Sequence, residues 1–365
     1  RVDDLTYGDE PAFTLGYTPQ RDAKYSDFCI TIKTLDQELV VAEEEMGYEE
    51  STFPYLYRVE HTSTKPSHQL SVAYNNLRRG RKPHIDCDDR QAVFTQLMTP
   101  ARFTTTEAQE LIPESTRSLR HVLDQMLFLD PIPQLMRDYS YIEDAELQGD
   151  GANLSSVLYH LCREDGQRKR VLDFVQALPE QDIRSIDFVE TPRREVMVKL
   201  EESFGRHPQY REAALLSDGT LRVLAVAAAV LSAQSGALVV IEEIDNGVHP
   251  SRAELLLSNI AEAAESRDLH VLLTTHNPAL MDALPMKAIP DVVYCYRDPD
   301  EGDSRLVRLR DLDTYSQLIA QGTVGKLIQQ GIMEHYLKSE RLLPDDRTDE
   351  ALTWLESITA ESPAR

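Results

Sequence analysis

Cysteine is scarce in this sequence, and no two cysteines have the CxxC spacing of a zinc site or a redox motif. The four of them, Cys29, Cys87, Cys162 and Cys295, are scattered along 365 residues. This usage argues against a disulfide framework and fits a reducing cytosol. Long apolar runs are also missing, since no stretch approaches the roughly 20 apolar residues that cross a bilayer. We therefore expect a soluble, cytoplasmic protein without a membrane partner.

Positive charge is also in short supply. Lysine and arginine number 38 against 62 aspartates and glutamates, which gives a formal net charge of -24. This balance argues against a uniformly basic coat for nucleic acid, although a local basic groove can exist on an acidic surface. Residues 75–84 carry four basic side chains, Arg78, Arg79, Arg81 and Lys82. Two interpretations stay open for them, a solvated surface loop and a contact with a phosphate backbone.

A third absence concerns nucleotide binding. The sequence has no G-x-x-x-x-G-K-[ST] motif, the glycine-rich loop that cradles nucleotide phosphates. The nearest string, GTVGKLI at residues 322–328, has the wrong glycine spacing, and leucine follows Lys326. A nucleotide site in this sequence must therefore be recognised from other residues.

Hydrophobic patterns divide the chain into four predicted parts. Residues 1–90 contain alternating apolar positions such as Phe28, Ile30 and Ile32, which predict antiparallel strands. Residues 91–185 have apolar side chains at three- and four-residue steps, which predict a helical subdomain. In residues 186–312 strands and helices alternate, which predicts an α/β fold with a mainly parallel sheet. Residues 313–365 are predicted to form a C-terminal helical tail.

Three finer expectations accompany this division. The string SLRHVLDQMLFL, residues 118–129, has helical spacing throughout and is predicted to be one helix. Asn153 precedes another predicted helix and suits its N-cap position. The strings DVVYCY and SRLVRL are expected to add strands to the largely parallel sheet.

Two consecutive glutamates follow a fully apolar strand. Residues 237–241 read ALVVI, and Glu242 and Glu243 come directly after them. The end of such a strand is where an open α/β sheet presents its ligand-binding groups. Glu242 could hold a hard cation, Mg²⁺, through water, and Glu243 could orient or deprotonate an attacking water. The alternative is a pair of solvated acids at an ordinary junction between strand and loop.

Two further segments carry polar groups at helix starts or strand ends. LLSDGTLR places Ser217, Asp218 and Gly219 at the start of a long helix, where N–H groups and the helix dipole can bind a phosphate. A plain N-cap with a glycine turn is the alternative. In HVLLTTHNP, His276 follows an apolar strand and is expected at the same sheet edge as Glu242 and Glu243. There it could hydrogen-bond a terminal phosphate, or it could be merely polar surface.

The order of three strings, LLSDGTLR, ALVVIEEIDNGVHP and LLTTHNP, resembles the signature loop, the Walker B strand with its D-loop, and the switch histidine of ABC-type ATPases. The resemblance is to the RecF-like and AAA15-type branch, which includes the ATPase heads of overcoming-lysogenization-defect proteins and other phage-defence systems. Its motifs cover residues 215–284. It implies an ABC-type ATPase head with a mainly parallel sheet, an antiparallel β subdomain and a helical insertion.

The resemblance implies a role for each matching residue. Glu242 stands where the family has its Mg²⁺-associated acid, which is usually aspartate. Glu243 matches the catalytic glutamate, and His276 matches the switch histidine. Ile244 replaces the usual proline.

The remaining matches concern ATP binding. The D-loop match includes Asn246 and His249, and the signature-loop match includes Ser217 and Gly219, with Asp218 between them. In the family, the signature residues contact the γ-phosphate of ATP bound to the opposite subunit. The resemblance therefore implies ATP and Mg²⁺ as cofactors and a homodimer or higher even oligomer. The family's phosphate loop lies near the N-terminus, and we expect it upstream of Arg1.

The main functional hypothesis is an ATP-hydrolysing subunit of a bacterial anti-phage defence complex. It would sense invading DNA or a phage product and control a separate effector, a nuclease or a toxin, because no Toprim-like acidic cluster follows His276. One alternative is a RecF-like ATPase for DNA repair or chromosome maintenance that acts directly on duplex DNA. The other is a nucleotide-gated scaffold with little turnover.

Overall fold

The computed structural model describes ten stretches of the chain, residues 12–19, 23–35, 37–48, 54–62, 68–175, 183–203, 208–246, 252–298, 302 and 304–339. The chain passes from one structural unit to a second between Asp124 and Gln125. Residues 91–185, predicted as one helical subdomain, span this point and contribute to both units. The four-part division of the chain stays a prediction.

In its described residues, the first unit contains an antiparallel sheet of six strands and two α-helices. The strands pair in chain order, and the antiparallel strands predicted from the alternating residues Phe28, Ile30 and Ile32 are confirmed. Buried side chains of this sheet pack with helical residues such as Ile112 and Leu119. The elements are β1 (Ala12–Tyr17), β2 (Phe28–Leu35), β3 (Glu38–Gly47), β4 (Tyr55–Thr62), β5 (Gln69–Tyr74), β6 (His84–Asp88), α1 (Val93–Gln96) and α2 (Thr106–Asp124).

A buried carboxylate, Glu44 on β3, lies inside this unit. Its oxygens accept hydrogen bonds from the Tyr57 hydroxyl and from the backbone N–H groups of Val93 and Phe94, all at 2.7 Å. These bonds join β3 to β4 and to the start of α1. Burial raises the pKa of Glu44 to about 7, although the three hydrogen bonds lower it.

The second unit mixes parallel strands, antiparallel strands and helices, so the predicted α/β class is confirmed. Its first elements are β7 (Leu127–Leu129), α3 (Pro133–Met136), β8 (Ser140–Tyr141), α4 (Leu154–Leu161), α5 (Asp165–Val175), β9 (Ile183–Glu190), β10 (Glu195–Glu202) and β11 (Gln209–Glu212). They are followed by α6 (Asp218–Ser232), β12 (Leu238–Ile241), α7 (Ala253–Arg267), β13 (His270–Leu273), α8 (Pro278–Asp282), β14 (Val293–Arg297), β15 (Ser304–Arg308), α9 (Tyr315–Ile319), α10 (Val324–Gln329) and α11 (Ile332–Ser339).

A three-stranded parallel sheet positions the candidate site. Its central strand is β12, with β13 on one side and β7 on the other. The prediction of one helix over residues 118–129 is therefore wrong, because α2 ends at Asp124 and β7 joins the sheet. The three residues of β7 are too few to show a strand periodicity in the sequence. The strand with which they pair, β12, lies more than a hundred residues further along the chain.

The two faces of this parallel sheet differ in exposure. Val239 and Ile241 lie in the core with α6 and α7. On the other face, Phe128 and Leu272 pair in register with Val240 from either side. Phe128 is 62% exposed and Leu272 is 51% exposed, whereas strands of a parallel sheet are usually covered on both faces.

Two other expectations are corrected. Asn153 occupies the N-cap position of α4 without capping it. Its side chain instead donates to the carbonyl oxygens of Asp144 and Glu146 and accepts from the N–H of Gln148, which holds the preceding loop together. The strings DVVYCY and SRLVRL form β14 and β15, which pair with each other in antiparallel fashion and form a separate sheet.

The last helices form a hydrophobic cluster with β14 and β15, which we call the C-terminal cluster. Gly325 on α10 packs against α8, where its N–H donates to a carboxylate oxygen of Asp282 at 2.7 Å. A Cβ atom at Gly325 would lie 2.0 Å from the carbonyl oxygen of Pro278. The string GTVGKLI therefore serves packing. None of the helices in the described stretches combines the length and apolar character needed to cross a membrane.

Replacing Gly325 by alanine should push α10 away from α8 and lower the free energy of unfolding by about 1 to 3 kcal/mol, as overpacking does. The matched control is Gly166→Ala on α5, where a Cβ would meet no atom within 4 Å. That change should leave stability unchanged or raise it by up to about 1 kcal/mol, because alanine favours helix. Urea denaturation followed by circular dichroism measures both, and equal stabilities would contradict the packing argument.

Glu44 should make the stability of the first unit depend on pH. Its pKa is about 7 in the folded state against 4.5 for the free side chain, so its contribution is fully present below 4.5 and is lost as pH rises through 7. The free energy of unfolding, relative to a Glu44→Gln variant that cannot titrate, should fall by up to about 3 kcal/mol over this range. Urea midpoints measured from pH 4.5 to 7.5 test this. Glu110→Gln, an exposed site on α2, is the control, and a flat difference for Glu44→Gln would contradict it.

Candidate functional site

Backbone hydrogen bonds fix the chain directly after β12. The N–H of Glu242 donates to the carbonyl oxygen of Leu129 at 3.0 Å, on the β7 side. On the β13 side, the N–H of Thr274 donates to the carbonyl of Ile241, and the N–H of Ile244 donates to that of Thr274. The two glutamates therefore leave the sheet at a defined point between two neighbouring strands. Both side chains are exposed.

Glu243 occupies a left-handed backbone conformation with φ of 45°. Such a conformation is unfavourable for most residues other than glycine, asparagine and aspartate, and local hydrogen bonds stabilise it here. The N–H of Glu243 donates to the Thr274 hydroxyl at 2.9 Å. The side-chain amide of Asn246 donates to Oε2 of Glu243, and the backbone N–H of Asn246 donates to the carbonyl oxygen of Glu243. One carboxylate oxygen is thus held in place at a fixed turn.

A small cavity of about 10 Å³ lies beside these acids, room for roughly one water. It is lined by Glu242, Glu243 and Asn246, by apolar side chains of β12, α6 and α7, and by Pro131 and Arg222. The structure therefore brings three of the predicted site residues together around one space. Pro131 and Arg222 were not predicted, because nothing in their local sequence marks them.

His276 lies on the loop after β13, as predicted. Its Nε2 is 3.5 Å from Oδ2 of Asp245, and the imidazole is 75% exposed. Asp245 is nearly buried, and its other oxygen accepts from the Thr275 hydroxyl at 2.6 Å. Thr275 in turn accepts from the N–H of Asn277 at 3.1 Å. Asp245 and Thr275 therefore join the loop after β12 to the loop that carries His276.

The helix that follows His276 begins with a capped first turn. The side chain of Asn277 accepts from the N–H of Ala279 at 3.0 Å, and Pro278 occupies the first turn of α8. The loop carrying His276 is thus held by Asp245 on one side and by a capped helix on the other. Asp245 was not predicted as a site residue, although it lies only two residues beyond Glu243. It could have been found as an acidic residue in the loop after β12, the strand next to the one that precedes His276.

Ser217, Asp218 and Gly219 form a second group at the start of α6. Ser217 is the N-cap, and its hydroxyl accepts from the N–H of Thr220 at 3.1 Å. Asp218 pairs with Arg137. In the described stretches, the side chains of Ser217 and Asp218 bond to Thr220 and Arg137 and not to Glu242, Glu243 or His276. His249, the remaining predicted residue, lies outside the described residues.

The basic loop of residues 75–84 uses one of its cations internally. The Lys82 ammonium donates to the side chains of Asn75 and Asn76 and to the carbonyl oxygen of Arg78. Burial lowers the pKa of Lys82. Arg78, Arg79 and Arg81 are exposed, and both interpretations of this loop stay open for them.

Residues 104–282 match the AAA_21 family, described as "AAA domain, putative AbiEii toxin, Type IV TA system". This span is similar to AAA-type ATPase domains. It includes every predicted site residue, and it covers just under half of the chain. The predicted resemblance to nucleotide-binding ATPases is confirmed at this level. No curated protein matches the chain.

Among solved structures, the fold is similar to heads of SMC proteins. The SMC head bound to the C-winged helix domain of ScpA aligns with a TM-score of 0.38 and 12% identity over 80% of this chain and 76% of that chain. The SMC head domain from Thermotoga maritima aligns with a TM-score of 0.31 and 12% identity, over 80% of this chain and 77% of that chain. The SMC head domain with an extended coiled coil from Pyrococcus furiosus aligns with a TM-score of 0.31 and 12% identity, over 83% of this chain and 82% of that chain.

Replacing Thr275 by valine should loosen the His276 loop. Valine keeps the shape but removes the hydroxyl between the Asp245 carboxylate and the N–H of Asn277, so we expect a loss of about 2 kcal/mol in stability and faster amide exchange at Asn277. Thr275→Ser keeps the hydroxyl and is the matched control. Hydrogen exchange and urea denaturation measure the effect, and a valine variant that behaves like the serine variant would contradict this role.

Proposed function

We propose that this chain is an ATP-binding and ATP-hydrolysing subunit of the ABC type. The observation that carries the proposal is the pair of exposed carboxylates, Glu242 and Glu243, at the end of a buried parallel strand beside the His276 loop. A strand end of this kind is a usual ligand site in α/β sheets. The match of residues 104–282 to an AAA domain family supports ATP as the ligand.

Each acid has a separate role in this proposal. Glu243 orients an attacking water and accepts its proton, because Asn246 holds one carboxylate oxygen and leaves the other available. His276 donates a hydrogen bond to a terminal phosphate from its exposed position, and Asp245 orients the imidazole. This division agrees with phosphoryl transfer, in which the protein mainly positions groups and stabilises charge.

Glu242 is the residue proposed to hold Mg²⁺. The described stretches contain no group of three acidic, histidine or cysteine side chains that could hold a metal by itself. A single carboxylate such as that of Glu242 still fits Mg²⁺, because Mg²⁺ usually takes one or two carboxylates from the protein. Water and phosphate oxygens complete its ligands. Bound there, Mg²⁺ would neutralise charge on the β- and γ-phosphates. Glu242 has one more methylene than the aspartate usual at this position, so its carboxylate reaches further from the strand.

The second group, Ser217 to Gly219, supports a composite site made by two subunits. These residues form an exposed helix start whose side chains bond away from the acids of the same chain. In the proposal, this loop contacts ATP held by the Glu242 and Glu243 side of another subunit. A homodimer or higher even oligomer follows, in which ATP closes the heads and hydrolysis releases them.

The proposed biological setting is a bacterial anti-phage defence complex. The description of the AAA_21 family names a toxin and a type IV toxin-antitoxin system, which supports an ATPase that controls a toxic activity. In this setting the chain senses invading DNA or a phage product and releases a separate effector, a nuclease or a toxin.

Two alternatives make different predictions for DNA and turnover. The exposed arginines Arg78, Arg79 and Arg81 favour a RecF-like ATPase that binds duplex DNA directly, and its DNA affinity would fall steeply with salt. A nucleotide-gated scaffold would bind ATP and a partner without appreciable phosphate release.

Phosphate release by the full-length protein tests the proposal. Glu243→Gln keeps the length of the side chain but removes the base, so we expect turnover to fall by at least about 100-fold while ATP binding is retained. Glu265→Gln makes the same chemical change at an exposed ion pair on α7 and should leave turnover unchanged. Each rate is measured with and without duplex DNA.

The outcomes separate the three functions. Turnover that is lost in Glu243→Gln but kept in Glu265→Gln supports the ATPase. Stimulation by DNA together with a steep salt dependence favours the RecF-like alternative. ATP binding by the wild type without phosphate release would overturn hydrolysis and leave the scaffold.

A further inference from the structure

Arg137, directly after α3, makes an unusual set of contacts with the segment that precedes α6. Its Nη1 donates to the carbonyl oxygen of Leu216 at 2.5 Å and to that of Ala214 at 3.3 Å. Its Nη2 donates to Oδ1 of Asp218. One guanidinium therefore bonds to residues on both sides of Ser217, although Arg137 lies about 80 residues earlier in the chain.

These contacts determine both the geometry and the charge of the Ser217 loop. The two carbonyl bonds hold the turn that leads into the loop, and the bond to Asp218 holds the first residue of α6. The guanidinium also offsets the Asp218 carboxylate, which would otherwise repel an anion from this helix start. A planar guanidinium suits this task, because its donors lie on separate nitrogens in a fixed fork: Nη1 bonds to the two carbonyl oxygens while Nη2 bonds to the carboxylate.

The segment that carries Arg137 is itself firmly anchored. The N–H of Asp130 donates to the carbonyl of Gly149, and the N–H of Ile132 donates to that of Asp150, both at 2.9 Å. Met136, the neighbour of Arg137, is buried in the core. A Cβ at Gly151 would lie 2.7 Å from the sulfur of Met136, so the glycine permits this close approach. Arg137 is therefore a fixed point against which the Ser217 loop is placed.

We propose that Arg137 is a positioning residue that sets the Ser217 loop for the nucleotide held by the opposite subunit. This inference rests on the proposed function, because it assigns to that loop a role in a composite site. Arg137 acts through the loop and needs no contact with ATP. Its loss therefore impairs the partner's site and leaves the acids of its own subunit intact.

Mixing two inactive variants tests this inference in the full-length protein. Arg137→Ala keeps Glu243 but displaces the Ser217 loop, and Glu243→Gln keeps the loop but lacks the base. Each alone should show at least about tenfold lower phosphate release, as misplaced groups do. In a mixed dimer, one of the two composite sites has both its loop and its base intact. With random pairing in an equal mixture, activity should return to about a quarter of the wild-type rate.

The mixture separates positioning in the partner's site from simple damage. If Arg137→Ala lowers turnover but mixing restores none, Arg137 acts within its own subunit or on folding, and the inference is overturned. If Arg137→Ala turns over like the wild type, the inference is overturned as well. Arg120→Ala removes an exposed arginine from an ion pair on α2 and should change nothing.

A second variant covers the case in which Arg137→Ala fails to fold. Arg137→Lys keeps the charge and part of the contact, so we expect a folded protein with intermediate turnover, which mixing with Glu243→Gln should raise. Full turnover in the lysine variant would show that charge alone suffices and would overturn the positioning role. Wild-type protein without any turnover would instead overturn the proposed function, a different result from all of these.

Discussion

The hydrogen bonding of β12 between β7 and β13 is the constraint on which the candidate site depends. Because the three strands are parallel, their carboxyl ends meet at one edge, and the loops that leave them lie side by side. The bonds of Glu242 to Leu129 and of Ile244 to Thr274 continue this pairing past the strand ends. The backbone around the two exposed acids is therefore fixed by strand pairing, and side-chain contacts with Asn246 and Asp245 add to this for Glu243 and His276.

Much of this edge could be predicted from the sequence, because its signals are local. An apolar run followed by two glutamates indicates a buried strand with polar groups at its end, and His276 follows a second such run. The start of α6 was also readable, since Ser217 is a good N-cap and caps the helix, as in the alternative that the sequence left open beside a phosphate site. Helical and strand periodicity alone places all of these residues at element ends.

The rest depends on contacts between residues far apart in the chain. β7 has three residues and becomes a strand only by pairing with β12, so no periodicity could reveal it. Arg137, Thr275 and Asp245 act through partners between 30 and 81 residues away. Asn153 shows the converse, since a good local capping residue is used instead to hold a loop. Tertiary contacts decide in each case which of several local options is taken.

The packing of α10 on α8 bears on how much of the chain the second unit needs in order to fold. The similarity to the AAA_21 family ends at residue 282, the last residue of α8, which follows the His276 loop. Yet Asp282 is bonded to Gly325, and Met281 packs against the C-terminal cluster. A fragment trimmed to the family boundary would leave α8 with a bare apolar side and an unpaired carboxylate. A fragment that keeps α8 packed as in the longer chain must therefore extend at least through α10.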